Sequence, residues 1–373
     1  MATKLTSKRY QAEDYAQAQE IFFKNGWSDG LPVIPPTENR VADLMDYVGL
    51  APEQIVGEVP ERNRVLTAEK LAINAVMAGC LPEYMPVLIA AVEAITDPKF
   101  KFNHLASLGS PWPLIIVNGP IAKQIELHSG IYLFGPGQRP NLTIARAISL
   151  LLRNCAEAKA EGIQRGQWGN TLRFMGCVAE NEETPWTPLH VMLGHKQEES
   201  TVTVLSCYPG VPFHITCWLL QPEHMLKTIC ETLPYINGSQ WNEGVHTLFF
   251  GPHQVEAFVK EGWTKEKVRQ HIMDNTKSSI AELKRRQAWA VQSEEGFREE
   301  LLQIEPGDED KYVYLFKDHG EYNRFLVRLT SIADRWIHDL FVVVGGGNAG
   351  QRAIATSPYG MSTNPVIKLV KTK

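Results

Sequence analysis

Three short apolar runs in this chain each stop at glycine. Leu114-Ile115-Ile116-Val117 closes on Asn118-Gly119-Pro120, and Thr247-Leu248-Phe249-Phe250 precedes Gly251-Pro252-His253. Leu340-Phe341-Val342-Val343-Val344 precedes Gly345-Gly346-Gly347. Continuous runs of this length, rich in β-branched and aromatic residues and bounded by turn formers, read as strands buried on both faces. Helical sequence follows the first two turns, the order of α/β units. The pattern predicts a mixed α/β fold with helices packed around a central sheet, built from strands near 114, 173, 202, 247 and 340. A chain of 373 residues exceeds the usual single core, so two intimately packed subdomains are the alternative to one body.

Helices are expected over 9–25, 38–48, 67–78 and 83–96, and from Leu142 to Ala156. Helix also dominates the charge-dense stretch 253–304. Leu31-Pro32-Val33-Ile34-Pro35-Pro36-Thr37 reads as a rigid extended segment, because its prolines exclude helix and central strand. Glu305-Pro306-Gly307-Asp308-Glu309-Asp310 is the best candidate for a boundary. It separates a main region, 1–304, from 311–373, whose strand and glycine turn complete the same fold. No repeat of 20–50 residues is visible.

The formal charge of -5 and the absence of a long Lys/Arg run argue against a nucleic-acid partner. No stretch reaches the roughly 20 apolar residues of a membrane span. The N-terminus lacks the apolar core of a secretion signal. Six cysteines, at 80, 155, 177, 207, 217 and 230, form no C-x-x-C pair. That usage suits reduced thiols, and the expected location is cytoplasmic.

The stretch from Gly130 to Asn141 carries four glycines or prolines before its last residues, Gln138-Arg139-Pro140-Asn141, and feeds the helix that follows. A glycine-rich loop entering a helix leaves outward N–H groups that favour an anion, with the helix dipole behind them. Arg139, Asn141, Thr143 and Arg146 supply side-chain donors around that point, so a carboxylate or phosphate of a small substrate fits. The competing reading is a tight loop with an Asn N-cap and arginines paired to protein carboxylates.

Gly345-Gly346-Gly347-Asn348-Ala349-Gly350 matches G-x-G-x-x-G, yet its context fails a dinucleotide fold. Few residues remain, and no acidic residue follows Asp339 to hold a ribose. A turn that brings backbone close to an anion or a helix is expected instead, which makes Gly346 and Gly347 candidate substrate contacts. Cys80 lies two positions before Pro82. If it opens the second buried helix, the dipole favours its thiolate; otherwise it is a small packing residue. Glu180, Glu182, Trp186 and His190 form a second polar cluster at a strand end, where an apolar neighbour would raise a carboxyl for acid–base work. His128 stands beside the glycine-rich loop. His104, His214, His253 and His319 read as structural. No G-x-S-x-G elbow or Walker loop occurs.

With these residues in hand, the chain resembles a bacterial group whose members occur beside, or fused to, small proteins with a U-G-S-C motif. The resemblance rests first on Asn25 to Thr37, on Ile73-Asn74-Ala75-Val76-Met77-Ala78-Gly79-Cys80-Leu81-Pro82-Glu83-Tyr84, and on the glycine-rich loop through Arg146. It continues in Ala179-Glu180-Asn181-Glu182, Pro185-Trp186 and Pro188-Leu189-His190, and more weakly in Gly251-Pro252-His253 and the terminal glycines. It implies an intracellular enzyme. The chain departs from the group in lacking a Cys-Gly-Ser-Cys sequence, so a thiol-redox role would need a separate protein. His128 and Pro140 replace the expected Asn and Ala.

The leading expectation is an enzyme for a small anionic metabolite, with lyase or hydrolase chemistry. Arg139, Asn141, Thr143 and Arg146 hold the anion, Cys80 is nucleophile or thiol acid/base, and His128, Glu180 or His190 moves protons. One alternative is a metalloenzyme using Glu180, Glu182, His190 and His195. Another is a non-catalytic subunit for a small thiol-redox partner. A homo-oligomer is the remaining partner candidate, and no cofactor is identified.

Overall fold

The computed structural model describes residues 5–160, 162–208, 213–236, 244–286, 292–293, 296–297, 299–316, 338–348, 350–359 and 364–371. The chain divides into two compact units. Unit 1 takes 1–180, 190–209 and 365–373; unit 2 takes 181–189 and 210–364.

Along the chain, α1 (Tyr15–Lys24), α2 (Glu38–Val48), β1 (Ile55–Val59), β2 (Arg64–Thr67), α3 (Ala68–Ala78) and α4 (Met85–Ile95) come first. Then follow β3 (Trp112–Asn118), α5 (Pro120–Gln124), α6 (Arg139–Cys155), α7 (Leu172–Met175), β4 (Cys177–Ala179), α8 (Leu189–Met192) and β5 (Thr201–Cys207). Next are β6 (Phe213–Thr216), α9 (Pro222–Thr232), β7 (Gly244–Phe250), α10 (Pro252–Lys260), α11 (Lys265–Asn275), β8 (Lys277–Ser279) and α12 (Ile280–Arg285). The last strands are β9 (Gln292–Ser293), β10 (Gly296–Phe297), β11 (Tyr312–Tyr314), β12 (His338–Val344), β13 (Arg352–Thr356) and β14 (Val366–Leu369).

Unit 1 is built on a sheet ordered β14-β5-β3-β4, in which β3 and β4 are parallel and the other neighbours antiparallel. All seven residues of β3 are buried, as the continuous apolar run requires. Its register sets Asn118 opposite Thr201 and Ile116 opposite both Thr203 and Val178. Alternation then places Asn118, Thr201, Thr203 and Glu180 on one face of the sheet. Gly119 ends β3 at φ +84, and a Cβ there would stand 2.1 Å from the Glu199 carbonyl oxygen. Only glycine makes this turn. Pro120 then opens α5.

The buried side of α6 is apolar, and its polar positions hold the extended segment that follows α1. Arg146 pairs with Asp29 and donates to the Pro32 carbonyl, Arg153 donates to Gly26 O, and Asn154 donates to Trp27 O. Gln19 makes a two-way bridge to the backbone of Val33.

Unit 2 is built on a sheet ordered β12-β7-β13-β6. Leu248, Phe250, Leu340, Val342, Val344, Ala353 and Ala355 share a core with Met225, Ile229, Val255, Phe258, Val268 and Ile272 from its helices. Both sheets follow one plan. A central strand (β3 or β7) runs into Gly-Pro and a helix, and its parallel neighbour (β4 or β12) comes later in the chain. An antiparallel strand (β5 or β13) then pairs on the other side, with the fourth strand antiparallel outside it. The fourth strands are exchanged in chain order: β6 follows β5 but joins the unit 2 sheet, whereas β14 follows β13 but joins the unit 1 sheet.

The mixed α/β class expected from the sequence is the fold found. Several details differ. Two four-stranded sheets replace one central sheet: the run ending at Asn118 lies in one, and the runs ending at Phe250 and Val344 pair in the other. Residues Leu172–Met175 form a helical turn, and the strand begins at Cys177 after Gly176. Helix α1 starts at Tyr15, where the Asp14 side chain caps the Gln17 N–H. The loop 305–310 is no boundary: Asp308 pairs at 2.7 Å with Lys284 inside unit 2, and the strands after the loop serve both units. His319 lies outside the described residues.

Candidate functional site at the carboxyl edge of β3 and β4

The glycine-rich loop enters α6 at Arg139, with Gln138 as N-cap and no side-chain cap. Asn141 is therefore inside the first turn and is not the cap. Its buried side chain accepts from His128 N at 2.9 Å and donates to His128 O at 3.0 Å and Cys177 O at 3.2 Å. These bonds tie the loop to β4 and use the amide fully. Arg146 is also committed, through two 2.8 Å bonds to Asp29. For Arg146 the competing reading holds, while Asn141 is neither a cap nor an anion ligand, because its amide is bonded to backbone. Thr143 Oγ1 donates to Arg139 O at 2.8 Å.

Arg139 is different. It is exposed, and its Nε and Nη2 donate to the Gly79 carbonyl at 3.2 and 3.0 Å. The anchor fixes one edge of the guanidinium, so its remaining N–H donors are held in place at the start of a 17-residue helix.

Cys80 sits behind this point, buried. It does not open a helix, since Pro82–Tyr84 forms a 3-10 turn before α4 begins at Met85. Burial pushes its thiol up to about 12, against a weaker lowering by Thr143 and Arg139. The thiolate expectation is thus corrected: desolvation outweighs the nearby charge, and the neutral thiol is the form at pH 7. Burial likewise raises the Tyr84 hydroxyl, with the Arg139 charge opposing. Sequence reasoning passed over Tyr84, although it closes the Gly79–Tyr84 block.

At the carboxyl ends of β3 and β4, Asn118 Nδ2 donates to Glu180 Oε2 at 2.7 Å, and both side chains are buried. The Glu180 N–H donates to Val117 O, and the Ala179 N–H donates to His128 O at 3.3 Å. The loop that leads to α6 thus meets the sheet where Glu180 emerges. Thr201 and Thr203, on the same sheet face, are wholly buried, and among the described residues their hydroxyls have no hydrogen-bond partner. Buried orphan hydroxyls cost free energy that a ligand or ordered water can recover. Nothing in the sequence marked Asn118, Thr201 or Thr203 beyond alternation in a strand. His128 turns its Nε2 to Ile131 O at 2.6 Å. A carbonyl can only accept, so Nε2 carries a proton in this bond.

Of the other expected residues, His190 and His195 belong to unit 1 and the rest to unit 2. His190 is fully buried on α8, and its carbonyl accepts from His195 N. His195 faces Glu199 at 3.1 Å. Trp186 belongs to the unit 2 core against Phe250 and Phe258. Glu182, Gly346 and Gly347 belong to unit 2. No group of three or more His, Cys, Asp or Glu among the described residues is arranged to hold a metal ion. The metalloenzyme alternative therefore lacks a described ligand set.

No protein-family model, curated protein or solved structure matches this chain. No helix among the described residues is long and apolar enough to cross a membrane.

Proposed function

We infer that the protein is an enzyme for a small anionic metabolite, bound at the carboxyl edge of the parallel pair β3 and β4. The observation that carries this reading is the buried Asn118–Glu180 pair on the same sheet face as the hydroxyls of Thr201 and Thr203, which have no partner among the described residues. Carboxyl ends of parallel strands are where open α/β sheets bind ligands. In this reading Arg139 and the first turn of α6 hold the anion. Glu180 is the general base, oriented by Asn118, and His128 is a second proton carrier at the same edge. Removal of a proton from a carbon or from water by Glu180 gives lyase or hydrolase chemistry. Cys80 leaves the reacting set and becomes the packing beneath Arg139.

Screening the full chain against small carboxylates and phosphate esters by thermal shift, with turnover of each hit followed by NMR, tests the assignment. Glu180→Gln should keep binding and lose turnover, while Arg139→Ala should lose binding. A protein that none of these anions stabilises, or a Glu180→Gln variant with full turnover, overturns it.

A further inference from the structure

The shared plan of the two sheets makes the carboxyl edge of β7 and β12 the counterpart of the edge that carries Glu180. Where β4 runs into Glu180, β12 runs into glycine. Gly251 follows β7 and Gly345 follows β12, where parallel strands end side by side. The Gly345 N–H donates to Phe250 O, and a Cβ on Gly251 would stand 2.8 Å from Gly347 O. The glycines thus let the turn after β12 close onto the start of α10.

Helix α10 has nine residues, with Pro252 in its first turn. Its third residue, Gln254, reaches back so that Oε1 accepts from Gly251 N at 3.0 Å. That bond fixes which end of the amide is the carbonyl and holds the amide at the helix N-terminus. The other end, Nε2, is buried and has no hydrogen-bond partner among the described residues. Gln254 itself is 1% exposed. An orphan amide donor in that setting calls for an acceptor, and the dipole of α10 favours an anionic one. Gly346, at φ +98, has open space beside it, and Gly346 and Gly347 are half-buried, so a ligand has access from the turn.

We propose that unit 2 carries a second anion site, formed by Gln254 Nε2, the N-terminus of α10 and the Gly345-Gly346-Gly347 turn, with phosphate or a phosphate ester as its ligand. Three acceptor oxygens suit a site made only of amide donors, with no arginine in it. The site stands independently of the proton chemistry assigned to Glu180.

Inorganic phosphate is the probe, titrated into the full-length protein by calorimetry and by thermal shift. Saturable binding is expected for the wild type. Gln254→Glu keeps an acceptor for the Gly251 N–H but replaces the orphan donor by a negative oxygen, so its phosphate affinity should fall roughly tenfold or more. Gln254→Leu should lose the same affinity without added charge, and circular dichroism reports whether each variant is folded. Glu180→Gln should bind phosphate like the wild type. Absence of saturable binding, or unchanged binding in a folded Gln254→Glu protein, overturns the site. Binding lost in Arg139→Ala but kept in Gln254→Glu places the phosphate at α6 and overturns it too, while supporting the reading for unit 1.

Discussion

Arg146 and Asp29 meet at two points, Nε to Oδ2 and Nη2 to Oδ1, both at 2.8 Å. The side chains are only 15% and 12% exposed, and Arg146 also donates to Pro32 O. One guanidinium thus fixes a proline-rich segment that makes neither helix nor strand. Removing either partner strands the other in a poorly solvated place. Arg146→Ala is expected to destabilise the protein by about 3 kcal/mol. Arg146→Lys recovers only part, since an ammonium cannot bridge both oxygens. Urea denaturation checks this, and a loss below about 0.5 kcal/mol would place the pair among ordinary surface ion pairs.

The same pair sets an acid limb. Burial alone would raise the Asp29 carboxyl, but hydrogen bonding and charge from Arg146, with the Leu31 N–H, hold it below its ordinary value. The folded state therefore takes up this proton less readily than the unfolded chain. The stabilisation is full above the unfolded Asp value of about 3.9 and is lost as the pH falls through the lower folded value. The stability gap between wild type and Asp29→Asn should be flat near neutrality and narrow only in that acid window. A gap that narrows above about pH 6 would assign the effect to another group.

A thiol raised to about 12 by burial should be silent. Native protein treated with iodoacetamide at pH 7 is expected to label Cys80 only as fast as the surrounding structure opens. Labelling should become complete in denaturant. Cys80→Ala should cost about 1 kcal/mol and leave ligand-induced stabilisation intact. Rapid stoichiometric labelling of Cys80 in the folded protein, read by peptide mass spectrometry, would restore it as a reactive residue.

Much of the fold was readable because strong local signals agreed with it. The runs ending at Asn118, Phe250 and Val344 are strands, and α2, α3 and α4 fall within two residues of their expected limits. What escaped depends on pairing between distant segments. The common plan of the two sheets leaves no sequence repeat, since it lies in strand order and direction rather than in side chains. Met175 and Phe174 look like strand residues, but Gly176 allows the chain to leave a helical turn just before β4. At the site, the glycine-rich loop and Arg139 were visible as a motif. The commitment of Asn141 to His128 and Cys177, and of Arg146 to Asp29, was not, because their partners are remote in sequence. Asn118, Thr201 and Thr203 became legible only once register placed them beside Glu180 on one face.

Thr203 offers the sharpest test of that face. Its hydroxyl is wholly buried without a hydrogen-bond partner among the described residues, whereas the equally buried Thr276 donates to Ile272 O at 2.7 Å. Replacement by valine removes the hydroxyl and keeps a β-branched side chain. Thr276→Val should lose about 1 kcal/mol with its hydrogen bond. Thr203→Val should do the opposite and gain about 1 kcal/mol in the unliganded protein, by relieving an unmet desolvation penalty. The same change should weaken any anion that Glu180→Gln still binds, because the ligand loses a partner. A Thr203→Val protein that is less stable than wild type would mean that its hydroxyl is already satisfied. Thr203 would then belong to the packing of β5, and the site would contract to Asn118, Glu180, Thr201, His128 and Arg139.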